Sequence, residues 1–170
     1  MKSLYTVLIA MVAFVVFASV AVADPGTPWD KKIAGKGRFQ VLNQFGGDAV
    51  LDKETGRVWE KQPSTGGNTW LNRLTRCYNL EVGGRKGWRV PTIEELASLV
   101  DTSQANPSLP LGHPFINVQS SDYWSATTLA GSTSDAWVVG LDVGNVFASG
   151  KANVKFVWCV RGGQGVDGAQ

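Results

Sequence analysis

Five basic side chains fall in one stretch of this sequence: Arg73, Arg76, Arg85, Lys86 and Arg89, with Glu81 as the acid among them. Guanidinium groups grip sulfate and carboxylate oxygens through paired N–H bonds, so the stretch carries chemistry suited to an acidic ligand. Arg73 and Arg76 lie three apart, the spacing of one helix face, and Arg85 and Lys86 follow on a glycine turn. The plainer alternative is a set of solvated charges, with Arg89 structural between Trp88 and Val90. Which one holds depends on whether neighbours in sequence are also neighbours on the surface. Trp124 and Asp122 offer a second chemistry, an indole face for a sugar ring beside a carboxylate for its hydroxyls. Against it, most tryptophans at strand and helix spacings are core.

Catalytic arrangements are thin. His113, the one histidine, sits between Gly112 and Pro114 and reads as an exposed loop residue, which gives a Ser-His-Asp triad little support. No nucleophile elbow, His-Glu-x-x-His or phosphate loop occurs. Glu94, Glu95, Asp101, Asp122 and Asp135 are candidates for a glycosidase carboxylate pair, but no spacing favours one. Two cysteines and one histidine lack the close pairings of structural zinc. The Glu-Pro-Asn, Gln-Pro-Asp and Trp-Asn-Asp signatures of calcium lectins are absent, Asn106-Pro107 being a fragment of one. The reading is of a chain with no catalytic residues, metal or cofactor.

The cysteines take their meaning from the compartment. Met1-Lys2-Ser3 precedes an apolar run from Leu4 to Ala23, ending in Ala21-Val22-Ala23 before Asp24-Pro25-Gly26. That is the pattern of a cleaved signal peptide. Twenty apolar residues also suffice to span a bilayer, so membrane contact is expected only if the leader is retained. The expected location is periplasmic, cell-surface or extracellular. In such a setting Cys77 and Cys159 pair by default, closing a loop of about 80 residues worth on the order of 4 kcal/mol. The alternative is two catalytic thiols.

The chain is 170 residues and 44% apolar with net charge +2. Nineteen of the apolar residues lie in 1–23, and beyond them 15 basic residues face 14 acidic ones. No strong basic excess points to nucleic acid, and the composition does not suit a disordered chain. The remainder fits one domain. The expected organisation is a signal peptide at 1–23, an N-terminal extension at 24–47 held loosely to about Gly37, a domain at 48–163 and a flexible tail at 164–170.

The elements that must position these side chains are partly legible. Ala49–Asp52 and Arg57–Glu60 flank a glycine-containing turn and predict a hairpin. Trp70, Leu74, Cys77 and Tyr78 share one face of a helix that starts near Asn68 or Thr69 and stops at Gly83-Gly84. Thr92-Ile93-Glu94-Glu95 is a capping box, with Ile93, Leu96, Leu99 and Val100 as the buried stripe behind it. Three prolines between Asn106 and Pro114 predict a long irregular loop. Tyr123–Ala126 reads as a strand, and Ala136–Leu141 with Val146-Phe147 reads as a hairpin. Alternation from Val154 to Arg161 predicts a final strand with one apolar and one mixed face. Early helices and late strands make the fold α+β, two helices on antiparallel sheet.

Six blocks in order, DKETGRVWEK, TWLNRLTRCYNL, GWRVPTIEELASLVD, YWSATT, AWVVGLDVG and WCVRGG, resemble the Lcl C-terminal domain family from about Asp48 to Gly163. The resemblance implies a secreted or surface-exposed domain of C-type-lectin-like shape, related to formylglycine-generating enzymes. In the bacterial adhesin that names the family, the domain is associated with sulfated host polysaccharides. This sequence has no Gly-X-Y collagen stretch. The resemblance thus favours a non-enzymatic recognition domain for acidic or sulfated polysaccharide, with Arg73, Arg76, Arg85, Lys86, Trp124 and Asp122 as candidate contacts. Two alternatives stay open: a module that binds another envelope protein, and an oxidase of the formylglycine-generating type. The latter would need reactive thiols, and Arg161-Gly162-Gly163 echoes a segment of that family.

Overall fold

A computed structural model describes residues 35–162. The predicted leader at 1–23 and tail at 164–170 lie outside the described residues. Within them the fold is α+β, with two antiparallel sheets. The first sheet runs β1 (Phe39–Val41), β2 (Ala49–Asp52), β3 (Arg57–Glu60) and β7 (Val160–Arg161). The second runs β4 (Asp122–Leu129), β5 (Ser132–Gly140) and β6 (Asn145–Gly150). The helices are α1 (Gly35–Arg38), α2 (Trp70–Asn79) and α3 (Ile93–Ala97).

The β2–β3 hairpin forms in the expected place, with Asp52 opposite Arg57. Asp52 organises its turn by accepting the Glu54 N–H and the Thr55 hydroxyl. The same carboxylate takes the Arg38 guanidinium through two bonds, 2.8 and 2.7 Å long, in a buried pair. Arg38 also donates to the Ser98 carbonyl just beyond α3. Residues 35–47 lie within the expected N-terminal extension, held loosely only to about Gly37, and include β1, with Phe39 paired opposite Asp52. The partner that fixes them is 14 residues away, beyond the reach of local pattern.

The main core sits around Trp158. Phe115 and Trp59 meet its ring edge-on at 4.6 and 5.8 Å between centroids. Leu96 and Leu99 close the core from the α3 side, with Ile93 and Val100 partly buried beside them. This is the stripe behind the capping box, and the box itself is present in both directions. Glu95 does more than cap. Its carboxylate also accepts Arg57 at 2.6 Å and both Arg89 Nη groups at 2.7 Å. Burial alone would raise its pKa. The hydrogen bonds and charge of Arg89, the Thr92 N–H and the Arg57 bond outweigh that and hold it at about 2.

Helix α2 ends at Asn79, before the glycine pair expected to stop it. Leu80 turns to extended geometry and joins a second core cluster with Val82, Trp88 and Cys77. Gly83-Gly84 instead make the tight turn between bridged Val82 and Arg85. Gly83 has φ +56°, and a Cβ there would lie 2.4 Å from the Phe45 backbone, so the close approach demands glycine. Segment 154–161 also departs from expectation. Only Val160 and Arg161 form a strand, and Val157, Trp158, Cys159 and Val160 are all fully buried while Val154 is exposed. From Val157 to Val160 it runs between elements of both sheets, so neither face of that stretch meets water.

Cys77 on α2 and Cys159 before β7 form the expected disulfide, 82 residues apart and fully buried. Replacing both cysteines by serine should cost on the order of 4 kcal/mol and lower Tm by roughly 10 °C or more. An unchanged thermal unfolding curve would remove the bridge from the list of stabilising elements. Glu95→Gln should cost about 2–3 kcal/mol at neutral pH. A depressed carboxyl pKa contributes stability above its unfolded value, and that stability is lost as pH falls toward about 2. The gap between the two proteins in urea unfolding should therefore close over that acid range. A gap that stays constant to pH 2 would show that the Glu95 charge is not engaged.

Candidate functional site

The structure divides the five basic residues. On α2, Arg73 lies on the buried face with Trp70 and Cys77 rather than in solvent. Its Nε donates to the Lys155 carbonyl at 3.2 Å and its Nη2 to the Gly66 carbonyl. Arg76, one turn on, binds the Glu60 carboxylate through two 2.8 Å bonds, with Nη1 2.7 Å from the Cys159 sulfur. Arg89 is held by Glu95, the structural role weighed for it. Arg85 lies over the Phe45 ring at 4.8 Å, and Arg161 over the same ring at 5.7 Å. Lys86 is well exposed beside Glu81 at 3.7 Å. Arg85 and Lys86 thus belong to the turn near Phe45, and Arg73 and Arg76 belong to a pocket.

That pocket has a volume of about 470 Å³ and is lined by residues 62–68 with Arg73 and Arg76. Its loop is anchored to the segment behind it. Ser64 donates its N–H to the Val157 carbonyl at 3.0 Å, and its hydroxyl accepts the Val157 N–H at 2.9 Å. Asn68 and Lys155 exchange backbone bonds of 2.9 and 3.0 Å. The loop therefore presents Gln62, Thr65 and Asn68 on a fixed backbone beside two guanidinium groups.

The charges do not balance. Glu60 is buried, which pushes its pKa up, against the pull of Arg76 and the Cys159 N–H. Arg76 shares that one carboxylate, whereas no carboxylate lies within ion-pair distance of Arg73 among the described residues. Burial and the neighbouring Arg76 lower the Arg73 pKa, with only partial compensation from Glu60. A buried cation without a paired anion is costly. An anion entering the pocket would meet that charge directly.

The other candidates do not join this pocket as ligand contacts. Trp124 is fully buried against Ala136 and Val138, so its ring offers no face to a sugar. This corrects the stacking role, because β4 turns the ring inward. Its Nε1 instead donates to the Asn68 carbonyl at 3.2 Å and so supports the pocket loop. Asp122 is paired with Lys155 at 2.8 Å. His113 is half-buried rather than exposed, and burial lowers its pKa. Sequence reading also missed two residues. Glu60 carries no local signal, since its partners lie 16 and 99 residues away. Tyr78, placed on the buried helix face, is 79% exposed, because Arg73 takes the inward position that the apolar stripe assigns to the tyrosine.

The described residues contain no cluster of three His, Cys, Asp or Glu side chains arranged to hold a metal ion, and no free cysteine. No curated protein matches the sequence. The model of the Lcl C-terminal domain matches residues 48–161, a span from just before β2 through β7 that includes both cysteines, the pocket loop and Arg73. With about two thirds of its 170 residues inside that match, the chain belongs to the Lcl C-terminal domain family.

Proposed function

We propose that this chain is an exported, non-catalytic recognition domain whose ligand is an acidic or sulfated polysaccharide on an envelope or host surface. The observation that carries the reading is Arg73, a buried guanidinium with no carboxylate in ion-pair contact among the described residues, facing a polar pocket beside Arg76. A sulfate or carboxylate of the polymer supplies the missing countercharge, and the anchored loop offers hydroxyl and amide groups for adjoining sugar hydroxyls. The disulfide is consistent with export. Arg85 and Lys86 add solvent-screened attraction outside the pocket.

Retention on immobilised heparin should fall as salt rises. Arg73→Ala should weaken binding by about tenfold, while Arg85→Ala with Lys86→Ala should mainly flatten the salt dependence. Circular dichroism of each variant checks that the fold is intact. Retention indifferent to salt and to a folded Arg73→Ala protein would remove the reading.

A second reading, docking of another envelope protein, is favoured by the edge of the second sheet. Among the described residues strand β6 has no neighbour on its outer side, and it contains no charged residue and leaves Val146 exposed. Such an edge is open to strand addition. Crosslinking in intact envelopes should then recover one dominant partner, lost on Val146→Lys. Scattered products unaffected by that substitution would count against it.

A further inference from the structure

Tyr78 lies on the opposite flank of α2 from Arg76 and borders a second cleft of about 460 Å³. Leu74 and Thr75 share that border, and Trp88, Val90 and Ala126 complete the lining, with Arg89 at the rim. Trp88 and Val90 are buried at 2% and 3% exposure, and the indole N–H of Trp88 is committed to the Arg85 carbonyl at 3.0 Å. The cleft therefore meets hydrocarbon from Trp88. Tyr78 is 79% exposed, and among the described residues its ring stacks on no other ring and its hydroxyl makes no hydrogen bond. Thr75 donates its hydroxyl proton to the Leu71 carbonyl, which leaves its oxygen lone pairs to accept.

The Arg89 guanidinium at the rim of this cleft is already engaged. Both Nη groups of Arg89 lie on Glu95 at 2.7 Å, and Arg57 shares the same carboxylate. An anionic occupant would have to compete with Glu95 for Arg89, whereas Arg73 has no carboxylate in ion-pair contact among the described residues. A wholly apolar occupant would strip water from the Thr75 and Tyr78 hydroxyls without replacing it. An apolar floor, an exposed aromatic plate and hydroxyls at the border match a ligand with one C–H face and a hydroxyl edge. The volume lies within the range of small-molecule sites, roughly 300–1,000 Å³. We propose that this cleft binds an uncharged sugar ring, its C–H face laid on Tyr78 and its hydroxyls directed to Thr75 and the rim. This site is independent of the anion pocket and stands whether or not that reading holds.

The test is amide NMR of the folded chain titrated with neutral hexasaccharides, one β-1,4-linked glucan, one α-1,4-linked glucan and one β-1,4-linked N-acetylglucosamine oligomer. At least one should give saturable shifts confined to residues 74–78, 88–90 and 126. Tyr78→Ala should weaken that binding by about tenfold, Tyr78→Phe should keep it within about threefold, and Arg73→Ala should leave it unchanged. Three outcomes would overturn the proposal: no shift at the cleft with any of the sugars, equal affinity in Tyr78→Ala, or cleft resonances that depend on protein concentration alone, which would mark the face as a contact between copies.

Discussion

The buried carboxylate of Glu60 is the interaction on which the rest of this domain depends. It ends β3, and its two oxygens take Arg76 from α2 and the backbone N–H of Cys159. Its main-chain carbonyl accepts the Trp158 indole N–H at 2.8 Å, and its N–H donates to the Cys159 carbonyl. Sheet, helix, disulfide and central tryptophan therefore meet at one residue. Taking a carboxylate out of water is expensive, and the site is tolerable because both oxygens accept hydrogen bonds, from Arg76 and the Cys159 N–H. Removing Arg76 would leave the carboxylate buried without its cation, so sheet and helix depend on each other at this point.

The same segment that reaches Glu60 also builds the pocket. From Lys155 to Cys159 the odd-numbered residues bond to the end of β3 and the connection from it to α2, at Asn68, Ser64 and Glu60. The even-numbered Phe156 bonds to β4 at Asp122 and Trp124, and Val160 bonds to Arg89. Alternate residues thus serve opposite neighbours, and the segment is a seam between the two sheets. That is why it is buried on both faces despite its alternating sequence. It also anchors the pocket loop, through backbone groups of a segment that is itself bonded on both sides.

What was legible in the sequence follows the range of the interactions. The capping box at Thr92 and Glu95 and the β2–β3 turn depend on residues within four positions, and both form where the pattern places them. The disulfide was legible through the compartment, a chemical argument rather than a geometric one. The helix stripe on α2 failed where two faces overlap. Trp70 and Cys77 are compatible with either Arg73 or Tyr78 as their inward neighbour, and periodicity favours the apolar choice. The structure takes the arginine, because the carbonyls of Gly66 and Lys155, with Glu60 nearby, give a buried guanidinium acceptors that local sequence cannot show. Trp124 was ambiguous for a similar reason, since polar neighbours in sequence do not reveal which way the ring turns.

The two flanks of α2 differ in electrostatics because of where two carboxylates are committed. On one flank Glu60 faces two arginines and is bonded to only one, so a cation is left over beside a polar cavity. On the other, Glu95 binds Arg89 fully and also engages Arg57, so the cleft carries no unanswered charge at Arg89. Neither difference is visible in the net charge of +2, which averages them. The distinction comes from pairing over 16 residues in one case and 6 in the other. A single short helix thereby separates a surface with an unmatched guanidinium from an aromatic one whose rim arginine is already paired, and the local excess of arginine in the sequence belongs to the first surface only in part.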